Sequence, residues 1–315
     1  MADHHVACHL PKAGSEPALL ANVDDYRALW LAPGDPVNLK DLISSDLSAF
    51  SIHSHIFTDG TVLVLHWSHA LFDAMGLAAV MRSWLLVLQH KEDDVQVPLG
   101  PAENPLVDCQ KQAKPEIPYA LAKSSLGPPA VLRWMLKNIK DLAISRQEVR
   151  VFCVPAGLVE KMRAKALAEL ETESSGTEKP FLSEGDILTA WLSRLIHAER
   201  PPSQQVSLAS IKKTPIAHIL IGNCNKLLLM NVFDLRKVFA GRHLPRDKFY
   251  LGNCVSAFNV LTTAGTVLSK PLSRTAANIR AAIEEQTTAE QAEAYLGENA
   301  TRKYLPPLFG DSSGE

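Results

Sequence analysis

Apolar and polar positions alternate along residues 49–57, Ala-Phe-Ser-Ile-His-Ser-His-Ile-Phe, with the two-residue period of a half-buried strand. Asp59-Gly60 follows, a pair suited to a hairpin turn because both central positions of that turn need positive φ. Thr61 to Trp67 is β-branched and apolar at nearly every position, which predicts a second strand buried on both faces. A loop of Asp59 and Gly60 sets His53 opposite His66. Such a pair could bind metal, but two ligands do not close a site, and hydrogen-bonded packing is the competing role.

The period then lengthens. Val80, Met81, Trp84, Leu85 and Leu88 recur at helical spacing between Leu77 and about Gln89, as core positions. Lys91 to Asp94 ends that pattern, and the proline-rich, polar residues 95–117 read as a long connection. Helices are predicted at 130–145, with Val131, Leu132, Trp134, Met135 and Ile139 on the apolar side, and at 156–170. A strand falls at 148–154 between them. Ser183 and Asp186 stand at capping-box spacing, with Asp where Glu or Gln is usual, before a helix carrying Ile187, Leu188, Trp191 and Leu195. Strands follow at 206–211, 227–234 and 255–262, then a last helix over 276–294. The pattern is mixed α/β with at least one antiparallel pair.

Composition excludes some functions. The 315 residues suggest two domains, and 46% hydrophobic with 21% charged residues excludes disorder as the main state. Thirty-two basic against 34 acidic residues give −2, with no basic field to hold nucleic acid. Five cysteines, an odd number with no C-x-x-C pair, do not form a disulfide scaffold or zinc ribbon; buried thiols in a reducing compartment are expected. The start, MADHHVACHL, lacks a basic region followed by an apolar core, and no apolar run is long enough to span a bilayer, so a cytoplasmic protein is expected. His4, His5, Cys8 and His9 could be called a metal cluster, but nothing nearby would fix their geometry, and no metal is expected.

Chemistry concentrates after the second strand, in Ser68-His69-Ala70-Leu71-Phe72-Asp73-Ala74-Met75-Gly76. A histidine between a buried strand and a helix sits where α/β proteins often place function. Neutral imidazole is a competent base near pH 7. A satisfied structural histidine is the competing reading. Asp73 lies four residues on. In a helical turn the two side chains would share a face, and Asp73 could orient the imidazole as a triad acid does. Otherwise Asp73 turns away and pins the loop through an arginine.

These residues resemble the H-x-x-x-D-G motif of BAHD-type acyltransferases, acyl-CoA-dependent enzymes of secondary metabolism. Phe181-Leu-Ser-Glu-Gly-Asp186-Ile-Leu-Thr-Ala-Trp191 is similar to the family's helix after the interdomain crossover. Asn231-Val-Phe-Asp234-Leu-Arg236 and Tyr250-Leu-Gly252-Asn253-Cys254-Val255 resemble its D-x-R and Y-F-G-N-C/A-V segments, in the style of the fungal trichothecene 3-O-acetyltransferase-like branch. The resemblance implies a chloramphenicol-acetyltransferase-like fold of two mixed α/β domains with a solvent channel between them. It implies His69 as general base, Asp73 as a structural residue paired with Arg236, and Gly252 and Asn253 beside the channel. It implies acyl-CoA as co-substrate, a small-molecule acceptor, no permanent cofactor, and no covalent role for Cys254.

Departures from the family pattern set further expectations. Ala74 replaces the motif's glycine, only 68 residues precede His69, and a D-F-G-W-G segment is absent. Residues 212–226 read as extra. The expected organisation is therefore a partial first domain at 1–120, a crossover at 121–180 and a partial second domain at 181–315, incomplete at both ends. An impaired or inert binding protein, self-associating through exposed sheet edges, is the alternative. A condensation-domain relative would carry a histidine where Ser68 stands.

Overall fold

The computed structural model describes residues 14–22, 27–58, 60–100, 103–112, 116–132, 135–136, 139, 150–173, 179–198, 218–221, 226–300 and 309. In chain order its main elements are β1 (Ala18–Asn22), β2 (Phe50–Ile56), β3 (Thr61–Trp67), α1 (Ala74–Leu88), β4 (Val97–Pro98), α2 (Pro105–Gln112), β5 (Arg150–Cys153), α3 (Ala156–Glu173) and α4 (Glu184–Ala198). Then come β6 (His218–Ile221), β7 (Lys226–Asp234), α5 (Leu235–Phe239), β8 (Lys248–Phe249), β9 (Val255–Thr263), α6 (Ala264–Ser269), α7 (Leu272–Gln286) and α8 (Ala289–Ala300). The mixed α/β class is as the sequence predicts. The predicted strand at 206–211, His4, His5, Cys8 and His9 lie outside the described residues.

Two compact units interleave along the chain. The first comprises 1–99, 148–155 and 247–254; the second comprises 100–147, 156–246 and 255–315. In the first, β2 and β3 form an antiparallel pair, β1 pairs with β5, and β4 runs parallel to β8. The hairpin register differs from the expected one. Ile56 pairs with Thr61, and the Phe57 amide donates to the Gly60 carbonyl at 2.8 Å, so the turn is displaced toward Thr58. His53 therefore faces Val64, and His66 faces Ser51. The expectation of a strand buried on both faces also fails. Leu63 is 50% exposed and Ile56 70%, because no described residue covers that face.

The proline-rich 95–117 stretch contains structure that the sequence reading passed over. Pro105 occupies the first turn of α2, where its missing N–H costs no helical bond, and the Asn104 side chain accepts from Val107 N. Residues 128–132, 135–136 and 139 are helical, as predicted, but Leu132, Leu136 and Ile139 are all more than half exposed. The predicted last helix is two. The Thr287 amide closes α7 on the Ile283 carbonyl, and Thr288 Oγ accepts from Gln291 N to open α8.

In the second unit, β6, β7 and β9 form an antiparallel sheet in that order. Residues 218–221 of the segment read as extra supply its edge strand; the rest of 212–225 lies outside the described residues. Leu229, Phe258 and Val260 share a core with Ala166, Ile187, Ala190, Ala276 and Ile279 of α3, α4 and α7. Each fully buried aliphatic chain of this kind contributes about 1.5–3 kcal/mol. The Ser183–Asp186 capping box forms as predicted: Ser183 N donates to Asp186 Oδ2 at 2.7 Å, and Asp186 N to Ser183 Oγ at 3.2 Å. Arg280 Nε donates to the same Asp186 oxygen at 3.0 Å, so this buried carboxylate has a counter-charge. Behind the sheet, Tyr119 donates to Gln286 Oε1 at 2.6 Å and accepts from Asn259 Nδ2 at 3.2 Å. Burial there drives the Tyr119 phenol well above its ordinary range.

Candidate functional site

The His69 turn is built locally first. Ser68 N donates to the Ala49 carbonyl, Leu71 N to the Ser68 carbonyl, and Ala70 N to Ser68 Oγ. This tight, non-helical turn leaves the His69 side chain exposed at the end of β3. Trp67 Nε1 donates to the Phe72 carbonyl at 3.1 Å, and the two rings stack at 6.5 Å, closing the turn's apolar side.

Asp73 is 3% exposed and takes the cap position of α1. Its Oδ1 accepts from Gly76 N and its Oδ2 from Cys254 N, both at 2.8 Å. A carboxylate here complements the positive end of the helix and satisfies two amides that burial would leave bare. Residues 69–73 do not form a helical turn, so the shared-face geometry that a triad acid would need is not the one observed. Ala74 occupies the first helical position, where a glycine has no special advantage.

The segment 250–254 holds this turn through bonds that span 181 and 184 residues of sequence. Asn253 Nδ2 donates to the His69 carbonyl at 2.9 Å. The Leu251 carbonyl lies so close to Gly76 that a Cβ there would stand 2.3 Å from the oxygen and 2.7 Å from Phe72 Cβ. A Cβ on Gly252 would meet the Tyr250 ring at 2.6–2.7 Å, so Gly252 is where that ring crosses the backbone. Thus His69, Asp73, Gly252 and Asn253, four residues singled out from sequence, stand together. Gly76 is the one the sequence reading missed; a glycine in a helix's first turn was its signal.

Arg236 belongs to the second unit. It is 8% exposed, and its Nη1 lies 2.9 Å from Asp234 Oδ1, the carboxylate that caps α5.

On the hairpin face of Ser51, His53 and His66, Ser51 Oγ donates to Asp35 Oδ1 at 2.7 Å. Desolvation alone would raise the Asp35 carboxyl, but the Ser51 hydroxyl, the Ala32 amide and the charges of His66 and His53 outweigh it and hold it below its ordinary value. His55 Nε2 lies 3.1 Å from the Leu29 carbonyl. Among the described residues, no three His, Cys, Asp or Glu side chains converge as a metal site. Burial, with the Glu293 charge, pushes the Cys109 thiol up to about 11, which disfavours its thiolate; Cys254 is fully buried. No described helix is long and apolar enough to cross a membrane.

A family model described as "Transferase family" matches residues 42–305. The chain is 29% identical over 317 residues to "O-acyltransferase pboC" of Aspergillus ustus, covering 100% of this chain and 62% of that protein. It is 28% identical over 316 residues to "Transcriptional regulator calD" of Penicillium decumbens, covering 99% of this chain and 60% of that protein. It therefore spans about three fifths of the length of these curated relatives. The structure of F. graminearum TRI101 complexed with coenzyme A and deoxynivalenol matches with a TM-score of 0.45 at 13% identity, over 85% of this chain and 52% of that one.

Proposed function

The chain belongs to the Transferase family, the BAHD-type acyltransferases, and on that premise we propose that it moves an acyl group from acyl-CoA to a hydroxyl or amine of a small molecule. His69 is the general base. Its imidazole takes the acceptor's proton as the acceptor oxygen or nitrogen attacks the thioester carbonyl. The C–S bond then breaks, and the proton passes from the imidazole to the departing coenzyme A thiolate. Such a base contributes about 10²–10⁴-fold, with positioning and oxyanion stabilisation supplying the rest.

The observation that carries this reading is the division of labour around residue 69. The His69 ring is exposed while its backbone is tied at the carbonyl by Asn253, and the turn behind it is fixed by Asp73 and Gly76. A structural histidine would show the reverse, a buried ring with its nitrogens satisfied. Asp73, Gly252 and Asn253 act in this scheme as positioning residues. The pairing of Asp73 with Arg236 is carried over as part of the same proposal.

Turnover of acetyl-CoA with a panel of alcohols, followed by thiol release, tests it. His69→Ala should abolish turnover with unchanged circular dichroism, since an exposed side chain contributes little to packing. Retention of more than about a tenth of the wild-type rate contradicts a general-base role.

A further inference from the structure

The register of the second unit's sheet sets Asn231 opposite Phe258 and Phe233 opposite Ser256. Directly opposed residues share a face, so 229, 231, 233, 256, 258 and 260 line one side of β7 and β9. That side is otherwise apolar: Leu229, Phe258 and Val260 are core residues, and Phe233 packs on the same core. Asn231 and Ser256 interrupt it. Each is 5% exposed, and among the described residues neither Asn231 Nδ2 nor Ser256 Oγ has a hydrogen-bond partner.

Buried polar atoms are seldom left unpaired, because desolvating them without a partner is unfavourable. Two on adjacent strands of one face make a single feature. They are diagonal neighbours, with Cα atoms about 7–8 Å apart, so one atom between them is within reach of both side chains. Gln286, at the end of α7, shows the contrast: its Oε1 accepts from Tyr119 and from Asn259 N, and its Nε2 donates to the Asn259 carbonyl.

We propose that Asn231 and Ser256 form a hydrogen-bonding subsite for a carbonyl oxygen of a bound small molecule. An amide NH₂ can only donate and a hydroxyl can donate, so their common partner is an acceptor. Both donors are neutral and the flanking side chains are apolar, which favours an uncharged oxygen over a carboxylate or phosphate. The proposal rests on the acyl-transfer reading, which supplies two sources of such an oxygen: the thioester of the acyl donor, and a ketone or ester on the acceptor.

Two measurements separate these sources. Calorimetric affinities for acetyl-CoA and S-ethyl-CoA, which lacks the carbonyl, read the donor. KM values for a hydroxyketone acceptor and its deoxo analogue read the acceptor. The variants are Ser256→Ala, which removes only a hydroxyl, and Ser256→Ala combined with Asn231→Leu. Wild-type protein should prefer the carbonyl-bearing member of one pair by about tenfold, and the variants should lose that preference. Their ligand-free denaturation midpoints should be equal to or above wild type, since an unpaired buried polar atom has been removed. Undiminished preference in both pairs, or a lowered midpoint with unchanged preference, overturns the subsite and identifies the pair as a structural water site. Wild-type protein that binds neither coenzyme A compound overturns the acyl-transfer reading together with it.

Discussion

Gly76→Ala sets two energies of opposite sign against each other. Gly76 lies in the first turn of α1, and helix propensity alone predicts that alanine stabilises by about 0.8–1 kcal/mol. The added Cβ, however, would stand 2.3 Å from the Leu251 carbonyl oxygen and 2.7 Å from Phe72 Cβ. An ordinary C···O contact is about 3.3 Å, so roughly 1 Å of movement is required. The oxygen is a backbone atom, and its segment carries the Cys254 N–Asp73 and Asn253–His69 hydrogen bonds. Overpacking of this kind costs about 1–3 kcal/mol, and stretching a bond to a buried carboxylate about 1.5–3 kcal/mol more. The clash wins, with an expected net loss of about 1.5–5 kcal/mol once the propensity gain is subtracted. Gly157→Ala is the control: it lies in the first turn of α3, an added Cβ there would have no neighbour within 4 Å, and alanine should stabilise. Urea midpoints by circular dichroism and tryptophan fluorescence decide. A Gly76→Ala midpoint that rises alongside that of Gly157→Ala would refute the close approach.

Two further outcomes follow from other contacts. Asp73→Asn and Arg236→Ala should each lower the urea midpoint, and if the two pair, a double-mutant cycle gives a coupling of about 0.5–3 kcal/mol; additive losses refute the pairing. Asp35 has a folded-state pKa below its ordinary 3.8. Its contribution to stability is therefore present above the unfolded value and lost as pH falls through the folded one. Denaturation midpoints measured from pH 5 to pH 2.5 should fall more steeply for wild type than for Asp35→Asn, and equal slopes would show that the Ser51–Asp35 contact contributes nothing.

Local chemistry was legible in the sequence where local forces decide structure. The Ser183–Asp186 box, the helix α1 and the strand at Lys226–Asp234 all reflect neighbours within a few residues, but the expectation that Leu85 and Leu88 of α1 are core positions fails, since they are 52% and 61% exposed. Errors arose where distant parts of the chain decide. Asp59-Gly60 marks a turn, yet the register is fixed two residues away from the expected one by the whole ladder. Alternation in β2 marks two faces without saying which is covered, and the face bearing Ser51, His53 and His55 is the better buried one. The close packing of Leu251 on Gly76 joins positions with no shared period at all.

The clamp on the His69 turn also has a kinetic meaning. Asn253 reaches a carbonyl 184 residues earlier in the chain. A ribosome adding 5–20 residues per second needs roughly 10–40 s to make that interval. Throughout it, the β2–β3 hairpin and α1 can form from contacts already synthesised, since hairpins and helices close in microseconds. The turn carrying the imidazole cannot reach its final shape, because the Asp73 carboxylate and the His69 carbonyl still lack the partners that residues 253 and 254 supply. Closing so long a loop is entropically slow but costs little more than closing one half its length. The hairpin and α1 are therefore available long before the partners that fix the His69 turn have been synthesised.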